Sequence, residues 1–281
     1  MSTPVPPLFT GLVDDASVLP PSTTGVPEAL TSFRAHADAW YAAMVGSLLV
    51  PSSLVAVDRS WSGLTVSVVN DGAIGALPAV VGRLEAAGAR VRQVEAAVAR
   101  RGEDPQPGLA ELAELARAGP DLEVYAEIPL SWGLLLALDT VQSARRDGLR
   151  IAPKFRVGGL AAELFPTPVE LAAVICACRD RELPFKLTAG VRHALRHTDP
   201  ETGFTHHGYL NVLVASIVAA DGGEVAEVAE ALGATHPIPL TEPARARLDG
   251  PRPLWTGFGM PDVTGPITEL TRLGLLNGGP R

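Results

Sequence analysis

The sequence predicts an α/β protein built as a TIM-like (β/α) barrel, with room for irregular units and with a helical arm at its N-terminus. Three observations carry this. From residue 46 onward, short β-rich runs alternate with Ala/Leu/Glu stretches at helical spacing, and the helical stretches tend to close on glycine. Seven or eight such βα repeats in 281 residues suit a barrel, which ordinarily needs about 250. No glycine-rich phosphate loop follows the first strand, which disfavours a doubly wound sheet.

Residues 1–45 are rich in Pro, Ser and Thr and then helical over about 26–45. A segment of that size does not fold alone, so it is expected as an arm packed on a barrel domain of residues 46–281. Residues 11–13 offer one further strand. The main strand candidates are 47–57 (in one or two pieces), 64–69, 90–96, 122–128, 150–157, 184–189 and, more weakly, 254–258. Between them, LPAVVGRLEAAG closes at Gly88, LAELAELARAG at Gly119 and LLLALDTVQSARRDG at Gly148. TPVELAAVICACRDRE opens with Thr167 as N-cap, Pro168 in the first position and Glu170 three residues after the cap. Residues 242–253, with several prolines, glycines and arginines, read as a loop.

With 47% hydrophobic and 19% charged residues, the chain has the material for one substantial core. A formal net charge of -8 removes the general attraction that draws nucleic acid or an anionic membrane, so neither partner is expected. The longest nearly apolar stretch, 209–220, is broken by Asn211 and Ser216 and falls well short of the ~20 residues of a membrane span. The start of the chain carries no basic segment followed by an apolar one, so the expected address is cytoplasmic. Cys176 and Cys178 point in different directions on a helix and read as small core residues.

Lysine occurs only twice, at Lys154 and Lys186, whereas arginine supplies the other 21 of 23 basic residues. Where arginine has otherwise taken over, the two remaining lysines mark places where a guanidinium does not replace a primary amine. Both fall in predicted strands, IAPKFRVGG and PFKLTAGVRH. Period-two alternation puts Lys154 with Arg156, and Lys186 with Thr188, on one face, opposite Phe155 and Leu187. The apolar face suits the helices, so the cations are expected inside the barrel, towards the C-terminal strand ends where barrel enzymes keep their sites. On the preceding strand, Glu123, Tyr125 and Glu127 share a face, and Glu127 is the carboxylate best placed to balance Lys154 or Arg156. An ammonium near a second cation and away from water has its pKa lowered, the condition for a Schiff-base nucleophile or a general base. A structural ion pair is the competing reading.

The next segment, RHALRHTDPETGFTHHGYLN, puts His193, His197, His206 and His207 in one strand-to-helix loop over the barrel mouth. Three histidines and a carboxylate can bind a divalent metal such as zinc, with His193, His206 and His207 the alternative ligands; the plainer reading is a His-rich loop with no metal or other cofactor. His207, at the helix start, is the histidine placed to act alone as an acid or base, with His193 beside it. Gly158, Gly159 and Gly190 directly follow the lysine strands and would let backbone amides approach an anion, or simply permit tight turns. Asn211, in the H-G-Y-L-N segment, joins Arg156, Gly158, Gly159, Thr188 and Gly190 as a candidate substrate contact. Asp14 and Asp15 either reach into the mouth or cap a short helix, the cap being the safer reading.

The segments KFRVGG, FPTPVELAAVICAC, PFKLTAGVRH and HHGYLNVL, together with the opening GLVDDASVLPP, resemble a largely uncharacterised bacterial family that shares K-x-R-x-G-G, F-K-x-T-A-G-x-x-H and H-G-[FY]-L-N. The resemblance spans most of the chain and implies no named reaction. Two positions depart from it: Arg192-His193 stands where that family pairs histidines, and GFGMPD around Met260 replaces a Ser/Cys-containing segment. A more distant likeness is to class I aldolases, whose barrels carry a Schiff-base lysine on a late strand. The expectation is a barrel enzyme acting on a small anionic, carbonyl-containing molecule by lyase or isomerase chemistry. Lys186 would be nucleophile or base, Lys154 and Arg156 would bind the anion, and Glu127 with His193 or His207 would move protons. A metal-dependent barrel enzyme and a non-catalytic anion-binding protein are the alternatives, and assembly into a homo-oligomer is open.

Overall fold

The computed structural model describes residues 4–55 and 59–278. Eight parallel strands close a barrel: β1 (Val13–Asp15), β2 (Val45–Pro51), β3 (Thr65–Val69), β4 (Arg90–Ala97), β5 (Glu123–Glu127), β6 (Ile151–Arg156), β7 (Phe185–Thr188) and, after a small hairpin of β8 (His197–Thr198) and β9 (Thr205–His206), β10 (Trp255–Met260). Each strand pairs with the next in sequence, and β10 returns to β1, so no edge is left open. The TIM-like fold read from the repeats is the fold observed.

Parallel strands need crossovers, and helices supply most of them. α1 (Val26–Ala37) follows β1, α2 (Leu77–Ala86) follows β3, α3 (Gln106–Ala118) follows β4, α4 (Leu134–Arg146) follows β5 and α5 (Pro168–Arg179) follows β6. Between β7 and β10 lie α6 (Tyr209–Ala220), α7 (Val225–Gly233) and α8 (Ile238–Arg245), and α9 (Thr264–Arg272) follows β10. The irregular unit is β2 to β3, where the described residues form only short 3-10 turns.

Two expectations change. Residues 1–45 are not an arm outside the barrel: β1 lies within them and is the strand that closes it, and the helix stops at Ala37 instead of continuing to 45. The region expected as a loop over 242–253 begins inside α8, which runs to Arg245 with Pro243 in its interior.

Local chemistry explains the boundaries that match. Thr167 and Glu170 form the reciprocal capping box at the start of α5, with Glu170 N–H donating to Thr167 Oγ1 at 3.3 Å and Thr167 N–H to Glu170 Oε2 at 2.7 Å. Cys176 and Cys178 are free thiols buried in the core, and burial pushes the Cys178 thiol well above its ordinary range. The core lies between the outer strand faces and the helices: Phe155 and Leu187 are fully buried there. The seam between β1 and β10 is reinforced by Arg252, whose guanidinium donates to the carbonyls of Leu8, Thr10 and Thr256. Among the described residues, no helix is long and apolar enough to cross a membrane.

Candidate active site

The barrel interior is polar because three neighbouring strands align their charged residues. In the β6–β7 ladder Lys154 pairs with Lys186 and Arg156 with Thr188, and in the β5–β6 ladder Glu127 pairs with Lys154. One strand further, Glu95 of β4 pairs with Tyr125 of β5. Lys154 and Lys186 are 3% and 2% exposed, so both amines lie inside, as alternation predicts.

The side chains form a chain of alternating charge. Lys154 Nζ lies 2.9 Å from Glu127 Oε2 and 2.8 Å from Glu95 Oε2. The other Glu95 oxygen accepts from Lys186 Nζ, which also donates to Asp14 Oδ2. At the opposite end Arg156 Nε donates to Glu127 Oε1 at 3.0 Å. The sequence Asp14, Lys186, Glu95, Lys154, Glu127, Arg156 thus runs from the closed interior to a half-exposed guanidinium at the C-terminal end of β6.

Neutral groups brace this chain. Gln93 Nε2 donates to Asp14 Oδ2 and Glu95 Oε1, both at 3.1 Å. The Ser47 backbone N–H donates to Asp14 Oδ1 at 2.7 Å and its hydroxyl does so at 3.2 Å, with Ser67 hydrogen-bonded behind it. Gly46 makes room for this carboxylate, since a Cβ there would stand 2.1 Å from Asp14 Oδ1. The Tyr125 ring lies 5.2 Å from Lys186 Nζ, in range of a cation–π contact.

The electrostatics reverse one expectation. Burial alone would lower both lysines, but Glu95 and Glu127 around Lys154, and Asp14 and Glu95 around Lys186, outweigh it and raise both ammonium groups above the ordinary lysine range. Burial would likewise raise Glu95, yet the two ammonium groups hold its carboxyl down at about 2. Glu127 is pushed up by burial and pulled below its ordinary value by Lys154 and Arg156. The lysines are therefore held as cations, and a free amine nucleophile is not what the geometry stores.

Other expected site residues lie elsewhere. His193 is exposed and pairs through Nδ1 with Glu269 Oε1 at 2.9 Å. His207 is buried between the Pro166 carbonyl, 2.8 Å from Nε2, and the Arg196 guanidinium at Nδ1; burial draws its pKa down to about 4, so it is a neutral structural peg and not an acid–base group near neutrality. Asn211 is fully buried and ties Arg196 N–H to the Ala231 and Ala234 carbonyls, too deep in the helical layer to meet a substrate.

The histidine loop folds into the β8–β9 hairpin, and its rings contact one another: His193 meets His197 edge-on at 4.5 Å and His197 stacks on His206 at 5.2 Å between centroids. His206 Nδ1 faces the Gly190 carbonyl at 3.0 Å. Among the described residues no group of three His, Cys, Asp or Glu is arranged to hold a metal ion, which corrects the reading of His193, His206 and His207 as ligands.

Gly158 and Gly190 serve close packing of two strand ends, since a Cβ on Gly158 would lie 2.5 Å from Gly190 Cα. Gly159 is similarly filled by Leu164. Of the expected contacts, Arg156 and Thr188 remain at the mouth, paired across β6 and β7.

Sequence reasoning missed Glu95 and Gln93, and of its two readings of Asp14, reaching into the barrel or capping a helix, it preferred the cap, whereas Asp14 pairs with Lys186 inside. A signal for Glu95 existed: a carboxylate between Val94 and Ala96 in a strand has no solvent-facing excuse if both strand faces are covered.

No family model matches the chain, and no curated protein matches it. Among solved structures, it is similar to a lysine/ornithine decarboxylase from Vibrio vulnificus, crystallised with cadaverine, at 16% identity and a TM-score of 0.37, over 64% of this chain and 46% of that one. The chain thus spans less than half the length of that protein, and the likeness says nothing of the chemistry performed here.

Proposed function

We propose that the protein is a barrel enzyme acting on a small anionic, carbonyl-containing substrate by non-covalent lyase or isomerase chemistry. The observation that carries this reading is the buried chain of alternating charge ending at Arg156 at the strand C-termini. Apolar side chains of similar volume usually fill such an interior at equal or better stability, so six charged residues there point to a site.

In this reading Arg156, half exposed, binds the substrate's anionic group in the fork geometry that guanidinium offers a carboxylate or phosphate. Lys154, held as an ammonium by its two carboxylates, donates to the carbonyl oxygen and stabilises the negative charge that grows there as an enolate forms. Glu127, ionised at neutral pH and the network carboxylate nearest solvent after Asp14, Glu95 and the lysines are covered, carries the proton to or from the adjacent carbon. Glu95 and Glu127 keep Lys154 charged, and Lys186 holds Glu95 in place from its other oxygen. Schiff-base formation on Lys186 gives way to this role because its amine is protonated and doubly paired.

The test is exchange of carbon-bound protons in D2O, followed by proton NMR over a panel of 2-oxo acids and phosphorylated ketones. Exchange with at least one member is expected. Lys154→Met and Glu127→Gln should each slow it by about 100-fold or more, the scale of a lost proton-transfer or oxyanion-stabilising group. Arg156→Gln should chiefly raise KM. An adduct trapped on Lys186 by borohydride would restore the covalent mechanism, and exchange unaffected by Lys154→Met and Glu127→Gln would refute the reading.

A further inference from the structure

The opposite, N-terminal end of the barrel holds a second feature that the proposed chemistry does not use. A cavity of about 450 Å³ opens there, within the ~300–1,000 Å³ common for small-molecule sites. Arg92, Arg145 and Arg150 line it, and Glu123 is the one carboxylate among its lining residues. In a chain with a net charge of -8, that local excess of two positive charges runs against the whole.

The guanidinium groups are only partly committed. Arg150 is bound to Glu123 at 2.8 Å and to the Asp121 carbonyl, and Arg145 donates one N–H to the Ile151 carbonyl. Arg92 meets Glu123 only at 4.0 Å and remains about half exposed. It also sits where the β3–β4 register slips: Val66 pairs with Val91 but Ser67 pairs with Gln93, leaving Arg92 as the extra residue of a bulge, the device by which strands re-aim a side chain.

A neighbouring cavity of about 490 Å³ shares Arg92, Pro184 and Thr256 with the first and adds Arg252 and Trp255. The Trp255 indole N–H is buried and has no hydrogen-bond acceptor.

We propose that this N-terminal opening is a second binding site, for the dianionic phosphate of a small phosphorylated molecule held by Arg92, Arg150 and Arg145. The charge excess matches a dianion, and planar guanidinium groups suit a tetrahedral oxyanion. Tyr125 lines the cavity on one side and lies against Lys186 on the other, so an occupant would sit one aromatic ring from the charge chain. The proposal does not depend on the reaction proposed above.

Calorimetric titration with inorganic phosphate at constant ionic strength tests it. Saturable binding is expected in the wild-type protein, weakened about tenfold or more in the double variant Arg92→Gln/Arg150→Gln, the effect of losing a charge-assisted contact. Both side chains are about half exposed, and circular dichroism checks that the variant folds. Arg117→Gln on the outer surface should leave phosphate affinity within about twofold. Absence of saturable binding, or unchanged affinity in the double variant, would overturn the site. Tighter binding of succinate than of phosphate would overturn the assignment to phosphate.

Discussion

Replacing Glu95 by Gln removes the carboxylate that, among the described residues, bridges both lysines. Its geometry permits an estimate of the consequence. Lys154 retains Glu127, and Lys186 retains Asp14, so neither ammonium is stranded outright. Removing one member of a buried pair costs about 3–5 kcal/mol when its partner is left alone; with each lysine keeping one partner, about 3 kcal/mol is expected at pH 7. The same figure follows from titration. Glu95 is held at about 2 against an ordinary value of 4.5, a difference worth about 3 kcal/mol. A carboxyl lowered on folding contributes its full stability above its unfolded value and loses it as pH falls through the folded one. The gap between wild type and Glu95→Gln in urea unfolding should therefore be full near pH 6 and narrow between pH 4.5 and 2 by about 3 kcal/mol. A loss below about 1 kcal/mol at pH 7, or a gap unchanged down to pH 2, would refute the view that the two ammonium groups hold Glu95.

Gly46→Ala would place a methyl against the Asp14 carboxylate and should cost about 1–3 kcal/mol in denaturant unfolding, the range for overpacking; an unchanged midpoint would show that Asp14 is free to shift. His207 is buried neutral, with its pKa lowered from 6.5 to about 4, so it stabilises the fold above pH 6.5 and loses that contribution, about 3 kcal/mol, as pH falls towards 4. His207→Gln should flatten the stability profile over that interval, and a profile as steep as wild type would count against a neutral peg. Thr167→Ala removes the cap of α5 and should lower stability by about 1 kcal/mol, readable as a drop of a few degrees in Tm.

The strand and helix rhythm was legible because each repeat obeys its own period, and because Phe155 and Leu187 alternate with Lys154 and Lys186 along β6 and β7. Pairing between Glu127 and the cations of β6 followed from the same alternation. What stayed hidden depends on closure. β1 is three residues long, two of them aspartates, and no local pattern says that VDD pairs with residues 32 to 33 and 245 positions later. The bulge at Arg92 interrupts the alternation of β4 just before Gln93 and Glu95, so their face could not be counted from the start of the strand. The lysine pKa argument failed for the same reason: it weighed the second cation without the two carboxylates that only a closed barrel brings near.

The seam between β1 and β10 also sets the order in which the molecule can be completed during synthesis. Asp14 emerges from the ribosome long before Lys186, and the last wall strand, Trp255–Met260, emerges later still. Until that final stave arrives, the barrel stands open on one side and water still reaches the ionic column. Complete burial of the charges therefore requires residues 255–260, and a chain lacking them would hold Asp14, Glu95, Glu127, Lys154, Arg156 and Lys186 without the strand that closes the wall around them.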